Sequence, residues 1–223
     1  MAHQIWLSFP LNVADPRPPA IPAPELAPLM TIAREGAEVQ ILRVASHTGT
    51  HVDAPQHVID GGVRITDFSP DELYFTAPVV IDLPLGDEAI VLPEHLLPWE
   101  DRLRGADIAL FRFGYTPVRS ADPARYSLHA PGFGVEAARW LRAHAPGLRA
   151  IGLDVPSLAC IAALDETMTA HHELLGGEGC RFLVIEDMDL GMDLTNLHAV
   201  RLCPWLVTGM DSGPCSVIGV LNR

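Results

Sequence analysis

The sequence predicts a mixed α/β (α+β) domain with more strand than helix. Short apolar runs rich in β-prone residues recur along all 223 residues, and Pro, Gly or Asp bounds most of them, which is typical of strands. Only three segments carry the spacing and end signals of helices. With 48% hydrophobic residues, the chain fits one large domain or two small ones, and we expect one domain over residues 1–223.

The predicted elements follow one another in short segments. The predicted strands are residues 5–9, 39–45, 77–83, 90–92, 108–113, 148–153, 182–185, 197–207 and 216–221. The predicted helices are residues 24–36, with an early proline and a terminal glycine, 135–144, with one apolar stripe, and 165–176, which ends in Leu-Leu-Gly-Gly. Six prolines within residues 15–28 indicate an extended arm. This arm lies over a neighbouring subunit or an active-site mouth, or it is a plain surface loop, which is the commoner case.

The composition excludes several classes of function. The net charge is −13 and the arginines are dispersed, so no basic face is available to neutralise the phosphates of a nucleic acid. All fifteen basic residues are arginine, which excludes Schiff-base, P-loop and Ser-Lys chemistry. No apolar run approaches the roughly 20 residues of a membrane span and no signal peptide is evident, so we expect a cytoplasmic protein with no membrane partner. The four cysteines are scattered, and we expect them to be reduced and buried.

The segment that carries chemistry is residues 46–58, which read Ser-His-Thr-Gly-Thr-His-Val-Asp-Ala-Pro-Gln-His-Val. It places His47, His51, Asp53 and His57 within eleven residues, and imidazole nitrogens with a carboxylate are the ligands that zinc or manganese takes. The β-branched threonines and Gly49 favour a strand that runs into a bend rather than a helix. We therefore predict a metal site with an open position for water.

This segment resembles the HxGTHxDxPxH signature of the metal-dependent cyclase-like hydrolases, which include bacterial kynurenine formamidase and isatin hydrolase. The resemblance extends over most of the chain, through Asp-Gly-Gly at 60–62, Ile-Gly-Leu-Asp-Val-Pro-Ser at 151–157 and Gly-Met-Asp-Ser-Gly-Pro at 209–214. It implies a swivelling β/β/α fold. It also implies that the protein is a homodimer or homotetramer that acts on a small molecule.

The resemblance implies roles for individual residues as well. His47, His51 and Asp53 would bind the first divalent metal, and His57 would act as the general acid/base. In two-metal members the aspartate also bridges to a second ion, for which His171 and Glu186 are the matching ligands. These two residues are fifteen positions apart, farther than is typical of the family, which indicates an insertion around residues 177–181. The insertion leaves His172 and Glu178 as rival ligands of the second ion. The sequence is therefore compatible with either one or two bound ions per chain.

The chemistry that follows is hydrolysis of an amide. A divalent metal supplies an activated water and polarises a carbonyl, while a histidine with an ordinary pKa of about 6.5 can move the proton. We expect an aryl formamide such as N-formylkynurenine as substrate, with a mononuclear, isatin-like lactam hydrolase as the nearest alternative. A catalytically reduced metal-binding protein of the same fold is the second class of hypothesis. Cys215-Ser216 replaces the arginine that often follows the terminal turn of the family, which points to a changed substrate pocket. Six aromatic residues are expected to belong to the core: Phe68, Trp99, Phe111, Phe113, Tyr115 and Trp140.

Overall fold

The structure, a computed structural model, describes residues 3–222. The strands are β1 His3–Trp6, β2 Glu25–Met30, β3 Val39–Arg43, β4 His51–Asp53, β5 Tyr74–Phe75, β6 Pro78–Asp82, β7 Ile90–Val91, β8 Ile108–Arg112, β9 Gly132–Phe133, β10 Ala150–Leu153, β11 Leu183–Glu186, β12 Leu197–Pro204 and β13 Gly213–Leu221. The helices are α1 Ile32–Glu35, α2 Pro93–Leu96, α3 Glu100–Arg104, α4 Thr116–Ala121, α5 Pro123–Leu128, α6 Val135–His144 and α7 Leu164–Leu175. Short 3₁₀ turns include Pro55–His57.

Within the described residues 3–222, nine strands form one nearly closed, barrel-like sheet. Its order is β5-β12-β13-β4-β11-β10-β8-β6, and β1 pairs with β13. Strands β6, β8, β10 and β11 are parallel, as expected where helices cross over one face. The short strand β4 runs antiparallel to both β11 and β13, so it joins the parallel half of the sheet to the antiparallel half.

Two apolar cores lie on the two faces of the parallel strands. Along β8 the side chains alternate, since Ala109 and Phe111 pack with helices α6 and α7 while Ile108 and Leu110 pack with the antiparallel strands. This alternation explains why β8 is an unbroken apolar run in the sequence, because both of its faces are buried. The result is a β/β/α layering, and the predicted fold class is confirmed, with 28% strand and 27% helix.

Every predicted strand overlaps an observed one, and the second and third predicted helices are confirmed as α6 and α7. The first predicted helix, residues 24–36, is wrong. Residues Glu25–Met30 instead form β2, which pairs with β3 in an exposed hairpin, and only Ile32–Glu35 is helical. Pro28 lies in the middle of the predicted helix, where it would remove a backbone hydrogen bond and clash with the preceding turn.

Among the cysteines, Cys203 is exposed, so the expectation that all four are buried is wrong for this residue; the other three are buried, and all four are free. Cys203 occupies an outward-facing position of β12. The expected core aromatics Phe68, Phe111, Phe113 and Tyr115 are buried, and Trp99 and Trp140 pack against the core. Within residues 3–222, no helix has the length and apolar character that a bilayer crossing needs.

Candidate metal centre

Strand β4 carries the centre of the site. His51 and Asp53 are two residues apart on this strand, so their side chains lie on the same face of the sheet. The partner of His51 in the antiparallel register is Glu186, the last residue of β11. Three chemically active side chains are therefore brought together by one pair of strands, and all three are buried.

The remaining two histidines of the motif come from the turns on either side of β4. His47 lies in the loop before the strand, and Gly49 turns that loop with a φ of 64°, a conformation that favours glycine. His57 ends the 3₁₀ turn that Pro55 begins. The imidazole rings of His47 and His57 lie 4.1 Å apart between centroids, and His47 Nδ1 is 2.9 Å from Asp53 Oδ1.

The second predicted ligand pair also reaches this point. His171 on α7 places Nε2 3.4 Å from Glu186 Oε1 and 3.9 Å from Asp53 Oδ2, and Glu186 Oε2 lies 3.1 Å from His51 Nε2. The rival residues His172 and Glu178 are both exposed. The longer separation between His171 and Glu186 is thus accommodated in the turn after α7 without moving either residue away from the site.

Several buried polar atoms here have no hydrogen-bond partner among the described residues. They are His51 Nε2 and both carboxylate oxygens of Asp53. Glu186 Oε2 lies 3.1 Å from His51 Nε2 and His47 Nδ1 lies 2.9 Å from Asp53 Oδ1, but neither contact has the alignment of a hydrogen bond, and Asp53 Oδ2 is 3.9 Å from His171 Nε2. A buried polar group without a partner is costly, so atoms of this kind indicate a missing ligand. The opposite ring nitrogens are occupied, since His51 Nδ1–H donates to the Gly49 carbonyl at 2.8 Å and His171 Nδ1–H donates to the Thr167 carbonyl at 3.3 Å. Such bonds leave Nε2 free, as histidine ligands of metals require, and these residues fit a divalent cation.

The charges of the cluster indicate the same ligand. Burial acts to lower the pKa of His47, but the carboxylates of Asp211 and Asp53 act more strongly in the opposite direction. The net effect raises the pKa from its ordinary value of 6.5 to about 10. For His51 and His171 burial again acts downward, and the neighbouring carboxylates, Glu186 first, produce a net raised pKa. The carboxylates therefore attract positive charge, which protons supply when no metal is bound.

Asp211 is the site residue that the sequence analysis did not single out. It lies in the loop before β13, and its Oδ2 is 2.8 Å from His47 Nε2 and 3.4 Å from His57 Nδ1. The ligand atoms of these three residues lie within 4.8 Å of one another, as do those of His47, His51 and Asp53 and those of Asp53, His57 and His171. The Gly-Met-Asp-Ser-Gly-Pro turn was noted in the sequence, but its distance of more than 150 positions from His57 concealed the contact.

The three motif histidines, His171 and Glu186 line a cavity of about 620 Å³. Residues 18–21 of the proline-rich arm line the same cavity, as do Ile161, Leu164 and Met168. Of the arm, residues 18–21 thus lie against this cavity of the same chain. The walls are mainly apolar, so the cavity suits a small molecule with an apolar body.

The fold and the cluster together define a β/β/α protein with a candidate divalent-metal centre. The family model described as "Putative cyclase" matches residues 4–159, and the chain belongs to this Cyclase family. Cyclase-like protein 1 of Arabidopsis thaliana is 26% identical over 186 residues, which are 82% of this chain and 69% of that protein. Cyclase-like protein 3 of Oryza sativa subsp. japonica is 25% identical over 183 residues, which are 79% of this chain and 63% of that protein.

Solved structures show the same fold. Isatin hydrolase A from Labrenzia aggregata superposes with a TM-score of 0.81 at 20% identity, over 100% of this chain and 94% of that chain. Isatin hydrolase A from Ralstonia solanacearum superposes with a TM-score of 0.77 at 18% identity, over 99% and 92% of the two chains. At these identities the likeness establishes the architecture of the chain.

Proposed function

We propose that this protein is a metal-dependent hydrolase that cleaves a carbon–nitrogen amide bond in a small substrate. The observation that carries the proposal is the convergence of buried ligand atoms of His51 and Asp53 that have no aligned hydrogen bond, with His51 itself lining an open cavity. A structural metal site is closed, whereas a catalytic one keeps a position for water or substrate. Membership of the Cyclase family and the fold shared with isatin hydrolases support the same assignment.

The proposed substrate is an aryl formamide such as N-formylkynurenine. The apolar cavity walls suit an aromatic ring, and the polar cluster suits the formyl group at one end of it. An isatin-like lactam is the second candidate, because the matched folds include isatin hydrolases. Both substrates present a carbonyl bonded to an aryl nitrogen, so one site could cleave either bond.

In this proposal His47, His51 and Asp53 hold the first divalent ion, zinc or manganese. Asp53 also faces His171 and Glu186, which would hold a second ion if one is present. A bound divalent cation supplies a water of lowered pKa and polarises the substrate carbonyl. Glu186 is kept in place by the Leu158 N–H, which donates to its Oε1 at 2.5 Å.

His57 is the proposed general acid/base. Its side chain is 23% exposed and lines the cavity, with Nε2 4.0 Å from Asp53 Oδ2. At this place Nε2 can accept a proton from the attacking water and later donate it to the leaving nitrogen. Asp211 faces Nδ1 of the same ring and orients it. Of the three histidines of the motif, His57 has the most exposed side chain, at 23% against 17% for His47 and 3% for His51, and it is not one of the proposed ligands of the first ion.

We further propose a cytoplasmic homodimer or homotetramer. The β2–β3 hairpin exposes large apolar side chains, among them Leu26, Leu29 and Ile41, and a second copy of the chain would shield them. Light scattering of the purified protein tests the stoichiometry. A monomer at micromolar concentration would contradict this part of the proposal.

The central test combines metal analysis with hydrolysis assays. Plasma mass spectrometry is applied to the native protein and to His51→Ala, and both are assayed with N-formylkynurenine and isatin. About two metals per chain with formamide turnover support a dinuclear formamidase, and about one metal with lactam turnover supports the mononuclear alternative. Bound metal without turnover of either compound favours a catalytically reduced metal-binding protein. No metal in the native protein, or equal metal and activity in the variant, refutes the proposal.

A further inference from the structure

A buried charge network lies beside the metal centre, and the proposed chemistry does not use it. Its centre is Arg119 on α4, which is only 8% exposed. Arg119 Nε and Nη2 donate to the two carboxylate oxygens of Asp187 at 2.7 and 2.9 Å. Arg119 Nη1 donates to Asp15 Oδ1 at 3.2 Å. One guanidinium therefore binds two carboxylates that are far apart in the sequence.

The inner end of this network is rigid. Asp187 follows Glu186 directly and has a φ of 53°, a left-handed conformation that is uncommon outside glycine. The Tyr126 hydroxyl donates to Asp187 Oδ1 at 2.6 Å, and the Phe9 ring lies 4.1 Å from the Arg119 guanidinium carbon. Arg119 is thus held by a bidentate pair and an aromatic face, a geometry that fixes its position.

The outer end of the network is the start of the proline-rich arm. Asp15 is the first residue of this arm, and the Arg17 N–H donates to Ser127 Oγ on α5 at 3.1 Å. Arg17 Nη1 also donates to the Asp15 carbonyl at 2.9 Å, and Arg17 Nε to the Ile21 carbonyl at 3.2 Å. Residues 18–21, which follow immediately, are the arm wall of the cavity. Because prolines restrict the backbone here, the position of residue 15 determines where that wall stands.

We propose that the Arg119–Asp15 salt bridge is a latch that holds the arm against the cavity and thereby sets the affinity for substrates with an aryl body. Arg119 and Asp15 are positioning residues, since neither touches the cavity contents. The predicted effect on substrate affinity rests on the proposed function, whereas the predicted hold on the position of the arm does not. The side chains of Arg119 and Asp15 are 9% and 13% exposed, so their salt bridge is better shielded from solvent than a pair on the surface.

The test is Asp15→Asn in the full chain loaded with its metal. The asparagine oxygen can still accept the hydrogen bond from the Asn12 N–H, which Asp15 Oδ2 accepts at 2.9 Å, while the negative charge and the Oδ1 acceptor of the Arg119 Nη1 bond are removed. Asp71→Asn, at an exposed aspartate outside the arm, is the matched control. Hydrogen exchange by mass spectrometry follows peptides that cover residues 11–25, and KM and kcat are measured with N-formylkynurenine.

We expect faster exchange of the arm amides in Asp15→Asn, unchanged metal content, and KM raised about five-fold with kcat within about two-fold of the wild type. Asp15→Glu restores slow exchange at least in part, and Asp71→Asn behaves as the wild type. Unchanged exchange in Asp15→Asn overturns the latch. Faster exchange with unchanged KM overturns the role of the arm in substrate affinity. A wild type that does not turn over N-formylkynurenine refutes the aryl formamide substrate and the predicted change in KM with it, while exchange still decides whether the latch exists.

Discussion

His51 and Glu186 are register partners on the antiparallel strands β4 and β11, and His51 Nε2 lies 3.1 Å from Glu186 Oε2. Strand pairing alone therefore places a proposed ligand of each ion at the same position. A shift of one residue in this register would turn His51 and Asp53 to the opposite face of the sheet. The pairing of β4 with β13 on its other side holds the short strand in place.

His171 and His172 offer a matched pair of substitutions on one helix. Only His171 is buried at the site, so we expect His171→Ala to lower metal affinity more than about 100-fold, beyond the 10–100-fold typical of outer-shell changes. His172→Ala should retain wild-type metal content, because its side chain is exposed. Titration with zinc and manganese measures both. Equal affinities in the two variants would contradict the assignment of His171.

Asp211 is expected to act through His47 and His57. Asp211→Asn removes the charge that faces both rings, and we expect kcat to fall about 10–100-fold while the bound metal persists. Asp101→Asn, whose side chain is 98% exposed, is the control. Steady-state kinetics and metal analysis on the same preparations check the prediction. A loss of metal equal to that of His51→Ala would instead make Asp211 a ligand.

Metal binding should release protons. In the metal-free protein the pKa of His47 is raised to about 10, so this ring carries a proton at neutral pH, and neighbouring carboxylates also raise the pKa values of His51 and His171. A cation must displace the bound proton, and its apparent affinity should therefore rise with pH from about 6 to 9. Calorimetry in two buffers of different ionisation enthalpy measures the released protons. An affinity that does not change with pH would contradict this electrostatic picture.

Gly132 is expected to be intolerant of any side chain. A Cβ at this position in β9 would lie 2.6 Å from the Cys160 backbone nitrogen and 2.7 Å from the Leu158 carbonyl oxygen. We expect Gly132→Ala to lower the free energy of unfolding by about 1–3 kcal/mol. It should also weaken metal binding, since the displaced segment presents the Leu158 N–H to Glu186. Gly86→Ala, which meets no atom within 4 Å, should leave both unchanged in urea denaturation and metal titration.

Much of the parallel sheet could be predicted from the sequence, because β8, β10 and β11 are buried apolar runs with sharp ends and β6 is a half-buried apolar run. The failures have physical reasons. Helices α2 to α5 have four to six residues each, too few for a periodic pattern. Residues 25–30 have helix formers but pair with β3, and that pairing overrides their local preference.

The residues of the site also fall into two groups, those that the sequence identified and those that it did not. The motif at residues 47–57 and the pair His171 and Glu186 were identified from residue types and from the resemblance they carry. Arg119 and Asp187 were not, because nothing in their local sequence distinguishes them from other charged residues, and Asp211 was noted only as part of the Gly-Met-Asp-Ser-Gly-Pro turn at 209–214. Each becomes significant only through a partner more than 60 positions away, as in the bond from Arg119 to Asp187.

The sequence by itself determined which metal-ligand atoms are available, because a local motif rich in imidazole and carboxylate groups indicates metal binding through its composition and spacing. The tertiary structure decided which of these atoms converge, that His171 rather than His172 faces Asp53, and that the proline-rich arm forms a wall of the cavity. The physical reason is that convergence depends on strand register, helix rotation and buried ion pairs between distant segments. These are properties of the packed chain, which no local stretch of sequence contains.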